Sequence, residues 1–272
     1  MIINHNIAAL NTYRQLGNAN SAQSKSMEKL SSGLRINKAA DDAAGLSISE
    51  KMRGQIRGLD QAARNSQDGI SLIQTGESAL SSVSDMLVRI RELATQAANG
   101  TFDATDDLTR IQEEVDELSN QITDIKDNTT FNGIKLLDGS TDVTLQIGKE
   151  DTQTLKLDKT KIDLTAVDTA VAAYDLSTQA GATTALQTIE DQINAVSAAR
   201  SYYGANQNRL EYTITNLNTA SENLTAAESR IRDVDMAKEM MNQTKNSILA
   251  QASQAMLAQA NQQPQGVLQL LR

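Results

Sequence analysis

Few residues of this 272-residue chain have side chains suited to catalysis. His5 is the only histidine and cysteine is absent, so imidazole or thiolate chemistry would depend on one residue near the N-terminus. Two acidic pairs, Asp41–Asp42 and Glu113–Glu114, resemble the two carboxylates of a glycoside hydrolase only in residue type. Adjacent residues on a helix point in different directions, so capping and solubility explain these pairs better. We therefore expect no catalysis, no cofactor and no metal site.

The elements that must carry these residues are long helices. In residues 186–231, apolar side chains recur at alternating spacings of three and four, which is the pattern of a helix packing lengthwise on others. The same spacing recurs in residues 52–94 and 108–125. The sequence therefore predicts a mainly α fold, a long antiparallel helical bundle or coiled-coil rod. In the first series the spacing also falls on four polar residues: Arg200, Gln207, Ser221 and Glu228.

Turn and capping residues set the predicted helix boundaries. The first helix should run over residues 4–32 with Gly33 as its stop, and the second should begin within residues 42–47 and end at 99–100. Negative charge is favoured near the start of a helix by the helix dipole. The first turn of the third helix is predicted to carry three acidic residues: Asp103, Asp106 and Asp107.

Beyond residue 128 the apolar period changes from helical to two-residue, which is typical of strands. Small β-hairpins are predicted near residues 131–165, with turns at 131–133 and 138–139. Residues 166–184 are weakly patterned and are expected to be loop or short helix. A fourth helix should then run to about residue 235.

Both ends of the chain are poorer in large apolar side chains than the middle. Each end is expected to be too weakly stabilised to fold alone, so residues 1–40 and 236–272 should form a paired terminal coiled coil and pack against neighbouring copies. Residues 41–185 and 186–235 should form a helical rod domain. Ten apolar residues are the candidates for terminal assembly contacts: Ile3, Ile7, Leu10, Ile248, Leu249, Ala252, Met256, Leu268, Leu270 and Leu271.

The net charge of −9 is unevenly distributed along the chain. Residues 1–40 carry +4 and residues 236–272 carry +2, which leaves −15 in between. An acidic middle repels nucleic acid, so we expect no nucleic-acid partner. We expect no membrane partner either, because no apolar stretch approaches the roughly 20 residues of a spanning helix. Residues 1–20 lack the features of a cleaved signal peptide, so a secreted role would need another export route.

Small and flexible side chains leave two packing questions open. Gly54 and Gly58 are spaced as in helices whose backbones approach closely, but each is equally explained as a tolerated defect of roughly 1 kcal/mol. The methionines near the C-terminus are predicted to be adaptable packing residues rather than a cofactor site. They are Met236, Met240, Met241 and Met256.

Several segments near both ends form a recognisable set of motifs. In the first part of the chain they are LSSGLRIN at 30–37, DDAAG at 41–45, NSQDGI at 65–70 and RIREL at 89–93. In the last part they are AAESRIRDVD at 226–235, AQANQ at 258–262 and VLQLLR at 267–272. With these motifs the chain resembles bacterial flagellins over about its first 150 and last 90 residues.

The resemblance implies a structural subunit that self-assembles into the helical filament of the bacterial flagellum, with its paired ends in the filament core. It also implies an extracellular location reached through the flagellar type III apparatus without a cleaved signal peptide. The implied partners are other copies of the chain, the flagellar cap and hook-associated proteins, a flagellar export chaperone and host flagellin receptors. Unlike long flagellins, this sequence has no large variable outer domain.

By similarity, three residues match positions that contact the host receptor for flagellin: Arg89, Leu93 and Glu114. Val88 stands where a glutamine is common in the family. The leucine-rich finish at residues 267–272 matches a tail sensed by intracellular immune receptors, and burial in the filament core would explain it equally well.

Two other functions stay open at this point. A hook–filament junction protein has similar ends but makes a single ring, and the finish at residues 263–272 favours the filament subunit. A secreted coiled-coil binding module or immune ligand would act as a monomer without polymerising.

Overall fold

The computed structural model describes residues 6–101, 103, 106–139 and 142–270, and of residues 264–270 it describes the backbone alone. Two candidate assembly residues, Ile3 and Leu271, lie outside the described residues, and so do the side chains of Leu268 and Leu270. His5 lies outside them as well.

The chain is mainly helical, as predicted. The helices are α1 (Ile7–Ser32), α2 (Ala43–Ala97), α3 (Asp107–Asn128), α4 (Thr165–Val171), α5 (Gln179–Arg232) and α6 (Met236–Leu270), with a short 3-10 helix at Lys159–Lys161. The strands are β1 (Thr130–Phe131), β2 (Ile134–Lys135), β3 (Val143–Gln146) and β4 (Thr154–Leu157). No helix among the described residues combines the length and the apolar character needed to cross a membrane.

The ends of the first two helices lie close to the predicted boundaries. The Asn6 side chain accepts a hydrogen bond from the Ala9 backbone and caps the start of α1. Gly33 ends this helix in the left-handed conformation, with φ of 71°, and its N–H donates to the Lys29 carbonyl at 2.9 Å. The prediction for α3 was only partly right, because Asp107 alone lies in the first turn while Asp106 precedes it as the N-cap residue.

The hairpin prediction is confirmed. Strands β1 and β2 are joined by Asn132 and Gly133, whose φ angles of 49° and 81° are those of a type I′ turn. Strands β3 and β4 pair antiparallel, with Val143 opposite Leu157. The side chains of Leu155 and Leu157 are buried on one face of β4, while the residues before each of them are exposed.

The weakly patterned segment before the fourth helix contains more helix than the apolar spacing indicated. Helix α4 occupies part of it, and α5 begins at Gln179 rather than at 186. Ala182 and Ala185 in this added stretch are buried, so small side chains that contribute little to an apolar pattern still pack against the core. At its other end α5 stops at Arg232 rather than at 235.

Two compact units make up the chain. The middle unit comprises residues 57–221, and the terminal unit comprises the residues up to 56 together with those from 222 onward. In the middle unit, α2 and α5 run antiparallel, since Arg91 pairs with Glu190 and Glu77 pairs with Arg200. The core of this unit is built from large aliphatic side chains and one fully buried tyrosine, including Ile73, Leu80, Leu87, Ile90, Ile122, Leu137, Ile189 and Tyr203.

In the terminal unit, α1 and α6 pack against each other in antiparallel orientation. The Asn6 side chain at the start of α1 donates to the Ala260 carbonyl at 2.7 Å. At the other end of α1, the Gly33 carbonyl accepts from the Val234 N–H at 3.1 Å, just before α6 begins. The two ends of the sequence therefore meet along one pair of helices.

Candidate assembly surface

The buried seam between α1 and α6 is made of small side chains. Ala19 and Ser26 of α1 are 9% and 5% exposed, and Ser253 and Ala260 of α6 are 6% and 8% exposed. Burying a methyl or hydroxymethyl group removes little apolar area from water, so this seam contributes far less than a seam of leucines would. Burial of these small side chains therefore stabilises the isolated α1–α6 pair only weakly.

Leu16, Leu30 and Leu257 are half-buried, but ten other large apolar side chains of the two helices are exposed. Their exposed fractions run from 46% to 70%, which is unusual for so many Ile, Leu, Met and Tyr side chains on one helix pair. Fully burying one such side chain is worth about 1.5–3 kcal/mol, and the single chain forgoes roughly half of that or somewhat more. The exposed set is Ile7, Leu10, Tyr13, Met27, Met236, Met240, Met241, Ile248, Leu249 and Met256.

Six of the predicted assembly residues have described side chains, and all of these side chains are accessible in the single chain. Ile7 and Leu10 are 70% and 59% exposed on α1. On α6, Ile248, Leu249 and Met256 are exposed, and so is Ala252. The sequence found these residues by their helical spacing, but the spacing could not show that they face away from the partner helix.

A short connector fixes how α1 and α6 meet. Leu34 forms an antiparallel bridge with Asp233, and the Arg35 N–H donates to the Arg232 carbonyl at 2.6 Å. The Arg35 guanidinium also donates to the Ile231 carbonyl. Ile36 is 1% exposed, so the LSSGLRIN motif contributes both backbone pairing and an apolar anchor.

An ion pair and a side-chain hydrogen bond also join this connector to α1. Lys38 pairs with Glu28 of α1 at 2.7 Å, and the Asn37 amide donates to the same carboxylate at 3.0 Å. These hydrogen bonds, that from Lys38 foremost, lower the pKa of Glu28. The Asp41 carboxylate accepts the backbone N–H groups of Lys38 and Asn37, which lowers its pKa as well.

Polar residues on the apolar seam of α5 bridge to α2. Glu228 accepts from the fully buried Ser49 hydroxyl at 2.9 Å, and within the middle unit Ser221 donates to Asp60 at 2.9 Å. Arg200 pairs with Glu77 in the same way. The apolar spacing includes these polar positions without indicating their role. A polar residue on an apolar seam often sets the register of the two helices.

The residues matched to receptor contacts lie in the middle unit. The Arg89 guanidinium is half exposed and binds Glu114 of α3 at 2.8 Å and Glu92 at 3.1 Å. The hydrogen bonds that Arg89 donates to Glu114, and then to Glu92, raise the pKa of Arg89. Leu93 is only 2% exposed and belongs to the core, whereas Val88 is 45% exposed. The structure thus brings Arg89 and Glu114 together at the surface and places Leu93 beneath it.

One ion pair of the middle unit is largely buried. The Lys126 ammonium of α3 donates to the Asp168 carboxylate of α4 at 2.6 Å, and Thr123 donates to its other oxygen at 2.5 Å. Burial alone would raise the pKa of Asp168, but the hydrogen bonds from Lys126 and Thr123 outweigh it, so the pKa is lowered. The Lys126 and Asp168 side chains are 13% and 17% exposed.

Close helix contact depends on a glycine other than the predicted pair. A Cβ at Gly54 would meet nothing within 4 Å, and one at Gly58 would make an ordinary contact with Lys149. A Cβ at Gly76, by contrast, would lie 2.8 Å from the Tyr203 ring. Tyr203 is fully buried, and its hydroxyl, whose pKa burial raises, has no hydrogen-bond partner among the described residues.

Comparisons with known proteins identify the family to which this chain is similar. The profile of the bacterial flagellin N-terminal helical region matches residues 3–142, and that of the C-terminal helical region matches residues 186–271. The flagellin of Halalkalibacterium halodurans is 61% identical over 274 residues and that of Bacillus subtilis 53% identical over 312, each match covering 100% of both chains. The crystal structure of Bacillus cereus flagellin is 33% identical, with a TM-score of 0.52, covering 61% of this chain and 94% of that one.

A helix pair that buries small side chains and exposes large ones is typical of a structural subunit that packs against other protein chains. The described residues also contain no group of three His, Asp or Glu side chains arranged to hold a metal. The family matches extend over most of the sequence, and the full-length relatives carry the same name. The chain belongs to the bacterial flagellin family and is a subunit of the extracellular flagellar filament.

Proposed function

We propose that copies of this chain assemble through the exposed apolar faces of α1 and α6. Residues 1–40 and 236–272 would form the filament core, and residues 41–185 and 186–235 the surrounding helical rod, with no large outer domain. The observation that carries the proposal is the packing of the terminal helix pair, in which small side chains are buried while ten large apolar side chains are 46–70% exposed.

The energetics explain why assembly and ordering are coupled. Ordering a residue costs about 1–2 kcal/mol of backbone entropy, and the Ala and Ser seam offsets little of that cost in a single chain. When neighbouring copies cover the outer faces, each Ile, Leu or Met side chain contributes roughly half or somewhat more of the 1.5–3 kcal/mol of full burial. Association therefore supplies much of the stabilisation of the ends. The entropy cost of ordering the ends opposes the first contacts between free subunits, which keeps them from polymerising early.

A substitution on α6 tests this proposal. The Ile248→Ser, Leu249→Ser double variant should leave the middle unit folded but raise the critical concentration for seeded polymerisation more than about tenfold, because two apolar contacts are lost. Sedimentation after seeding measures the polymer, and circular dichroism checks the helices. The matched control, Ile248→Leu with Leu249→Ile, should polymerise like the unchanged chain.

The same experiment separates the alternative functions. Long filaments under electron microscopy support the filament subunit, while rings of a single layer would indicate a hook–filament junction protein. A chain that binds a partner but never polymerises would indicate a monomeric binding module. Normal filaments from the polar double variant would overturn the proposed assembly surface.

Export and accessory partners belong to the proposal as well. Family membership supports export of the unfolded chain through the flagellar type III apparatus, without a cleaved leader and without catalysis by the chain. It also supports contacts with the flagellar cap, hook-associated proteins and an export chaperone. Intact-mass measurement of protein from filaments tests the leader, since a cleaved chain would be lighter than the printed sequence predicts.

Recognition by a host flagellin receptor is a second proposed function. The exposed Arg89–Glu114 pair supports it, since the Arg89 guanidinium is half exposed and has five N–H donors, more than its bonds to Glu114 and Glu92 use. Leu93 would act from beneath by holding this surface in place. In a receptor reporter assay, Arg89→Ala should reduce the response, whereas Arg110→Ala, a highly exposed arginine nearby on α3, should not. Equal responses would contradict the proposal.

A further inference from the structure

The oxidisable sulfur of this chain is concentrated on the proposed assembly surface. Cysteine is absent, so the methionines are the only thioether or thiol groups. Of the seven methionines with described side chains, five are 48–66% exposed, and all five lie on α1 or α6. They are Met27, Met236, Met240, Met241 and Met256.

The other two described methionines are in different surroundings. Met52 of α2 is half-buried, and Met86 packs against the core of the middle unit. Oxidation of a thioether depends on its access to the oxidant, so these two sulfurs should react more slowly than the five exposed ones. The chain therefore provides an internal reference for the reactivity of the assembly surface.

We propose that these five methionines are an oxidation site through which a peroxide blocks assembly of free subunits. One oxygen of hydrogen peroxide bonds to the thioether sulfur as the O–O bond breaks, and the other leaves as water. The sulfur loses two electrons to the peroxide and becomes a sulfoxide. This inference rests on the proposed assembly through α1 and α6.

The change in polarity explains the effect. Methionine is apolar and flexible, which suits a surface that must fit several neighbours, whereas the sulfoxide is polar and carries a strong hydrogen-bond acceptor. Burying that oxygen against apolar side chains of a neighbouring copy costs desolvation without a compensating hydrogen bond. Within an assembled filament, the same sulfurs would be covered by neighbours and protected from the oxidant.

The test uses the full-length, unassembled protein treated with dilute hydrogen peroxide. Peptide mass spectrometry should find sulfoxide at the five exposed methionines several-fold sooner than at Met52 and Met86. Seeded polymerisation should then require about a tenfold higher critical concentration or more. Preassembled filaments treated identically should gain sulfoxide at the five positions several-fold more slowly than free subunits do.

Two controls assign the effect to these residues. A chain with all five positions changed from Met to Leu should polymerise and should resist peroxide, since leucine has similar volume and no sulfur. The matched variant Met52→Leu, Met86→Leu should remain sensitive. Reduction of the oxidised natural chain by the two methionine sulfoxide reductases, one for each epimer, should restore polymerisation without relying on any variant.

The outcomes separate this inference from the assembly proposal. If the untreated chain fails to polymerise from seeds, the proposed function fails and this inference with it. If the untreated chain polymerises and the fully oxidised chain does so at the same critical concentration, only the oxidation site is overturned. Sulfoxides that form equally fast in filaments and in free subunits would also overturn it.

Discussion

The two units of the molecule use opposite packing rules. In the middle unit, Ile73, Leu80 and Leu87 are fully buried while charged residues such as Arg89 face solvent. In the terminal unit, the seam is made of Ala and Ser, and side chains as large as Ile248 are exposed. Both units are helical, yet they differ in whether the large apolar side chains are buried or exposed. The middle unit buries its large apolar side chains within itself, whereas the terminal unit leaves ten of them available for the proposed contacts between copies.

Removing one terminal helix should break this comparison most completely. A chain ending at Asp235 lacks α6, so α1 loses its packing partner and half of the proposed assembly surface. We expect no sedimentable polymer after seeding, while the middle unit keeps its helical circular dichroism and its own unfolding transition. Removing residues 1–32 instead should have the same effect. Long filaments from either shortened chain would contradict the assignment.

Truncating one leucine in each unit should sharpen the contrast. Leu87→Ala removes a fully buried side chain and should lower the free energy of unfolding by about 2–5 kcal/mol. Leu249→Ala removes a side chain that is 46% exposed and should change the free energy of unfolding of the free subunit by less than about 0.5 kcal/mol. Chemical denaturation of dilute, unassembled protein measures both, and equal losses would contradict this difference in packing.

Neutralising the buried ion pair should test the electrostatics of the middle unit. Asp168→Asn leaves the largely buried Lys126 ammonium with only the more distant Asp127 carboxylate, at 3.7 Å, so we expect a loss of about 1–3 kcal/mol at pH 7. The exposed control Asp127→Asn should cost less than about 0.5 kcal/mol.

The pH dependence follows from the lowered pKa of Asp168. A carboxyl whose pKa is lower in the folded state stabilises the protein above its unfolded pKa of about 4, and this stabilisation is lost as the pH falls through the folded pKa. The gap between the natural chain and Asp168→Asn should therefore shrink on acidification below about pH 4. A gap that stays constant down to pH 2 would contradict the ion pair's role.

Two glycine substitutions should have effects of opposite sign. Gly76→Ala places a Cβ against the buried Tyr203 ring and should destabilise the middle unit by about 1–3 kcal/mol. Gly54→Ala meets open space in α2 and should stabilise the free subunit by about 0.5–1 kcal/mol, because alanine favours helix. Thermal unfolding of the unassembled protein compares the two variants. A destabilised Gly54→Ala chain would support the alternative that another backbone approaches Gly54 closely.

The sequence predicted the helices of this fold well because their signals are local. Gly33 ends α1 and the Asn132–Gly133 pair turns a hairpin, since both positions need a positive φ. The start of α5 was misplaced because its first turns bury Ala182 and Ala185, which leave no large apolar residues to set a spacing. Helix α4 was equally hard to place in a stretch of Ala, Thr and Asp.

The proposed assembly surface can be predicted only in part from the sequence. Helical spacing selects Ile248 and Leu249 as one apolar face, but it cannot distinguish a face that meets the partner helix from one that faces outward. The choice depends on where α1 packs, and small residues such as Ser253 and Ala260 decide that. Leu93 illustrates the converse, because similarity marks it as a contact residue while its burial depends on the core around it.

The connector between α1 and α2 helps to fix the lengthwise register of α1 and α6, and so the geometry of any polymer built from this chain. Because Leu34 pairs with Asp233 at one end of the helix pair and Asn6 bonds to Ala260 near the other, α1 cannot slide lengthwise along α6 by one turn. Every copy therefore offers its apolar side chains at the same heights. Because this spacing is the same in each copy, many copies can make identical contacts along one helical lattice.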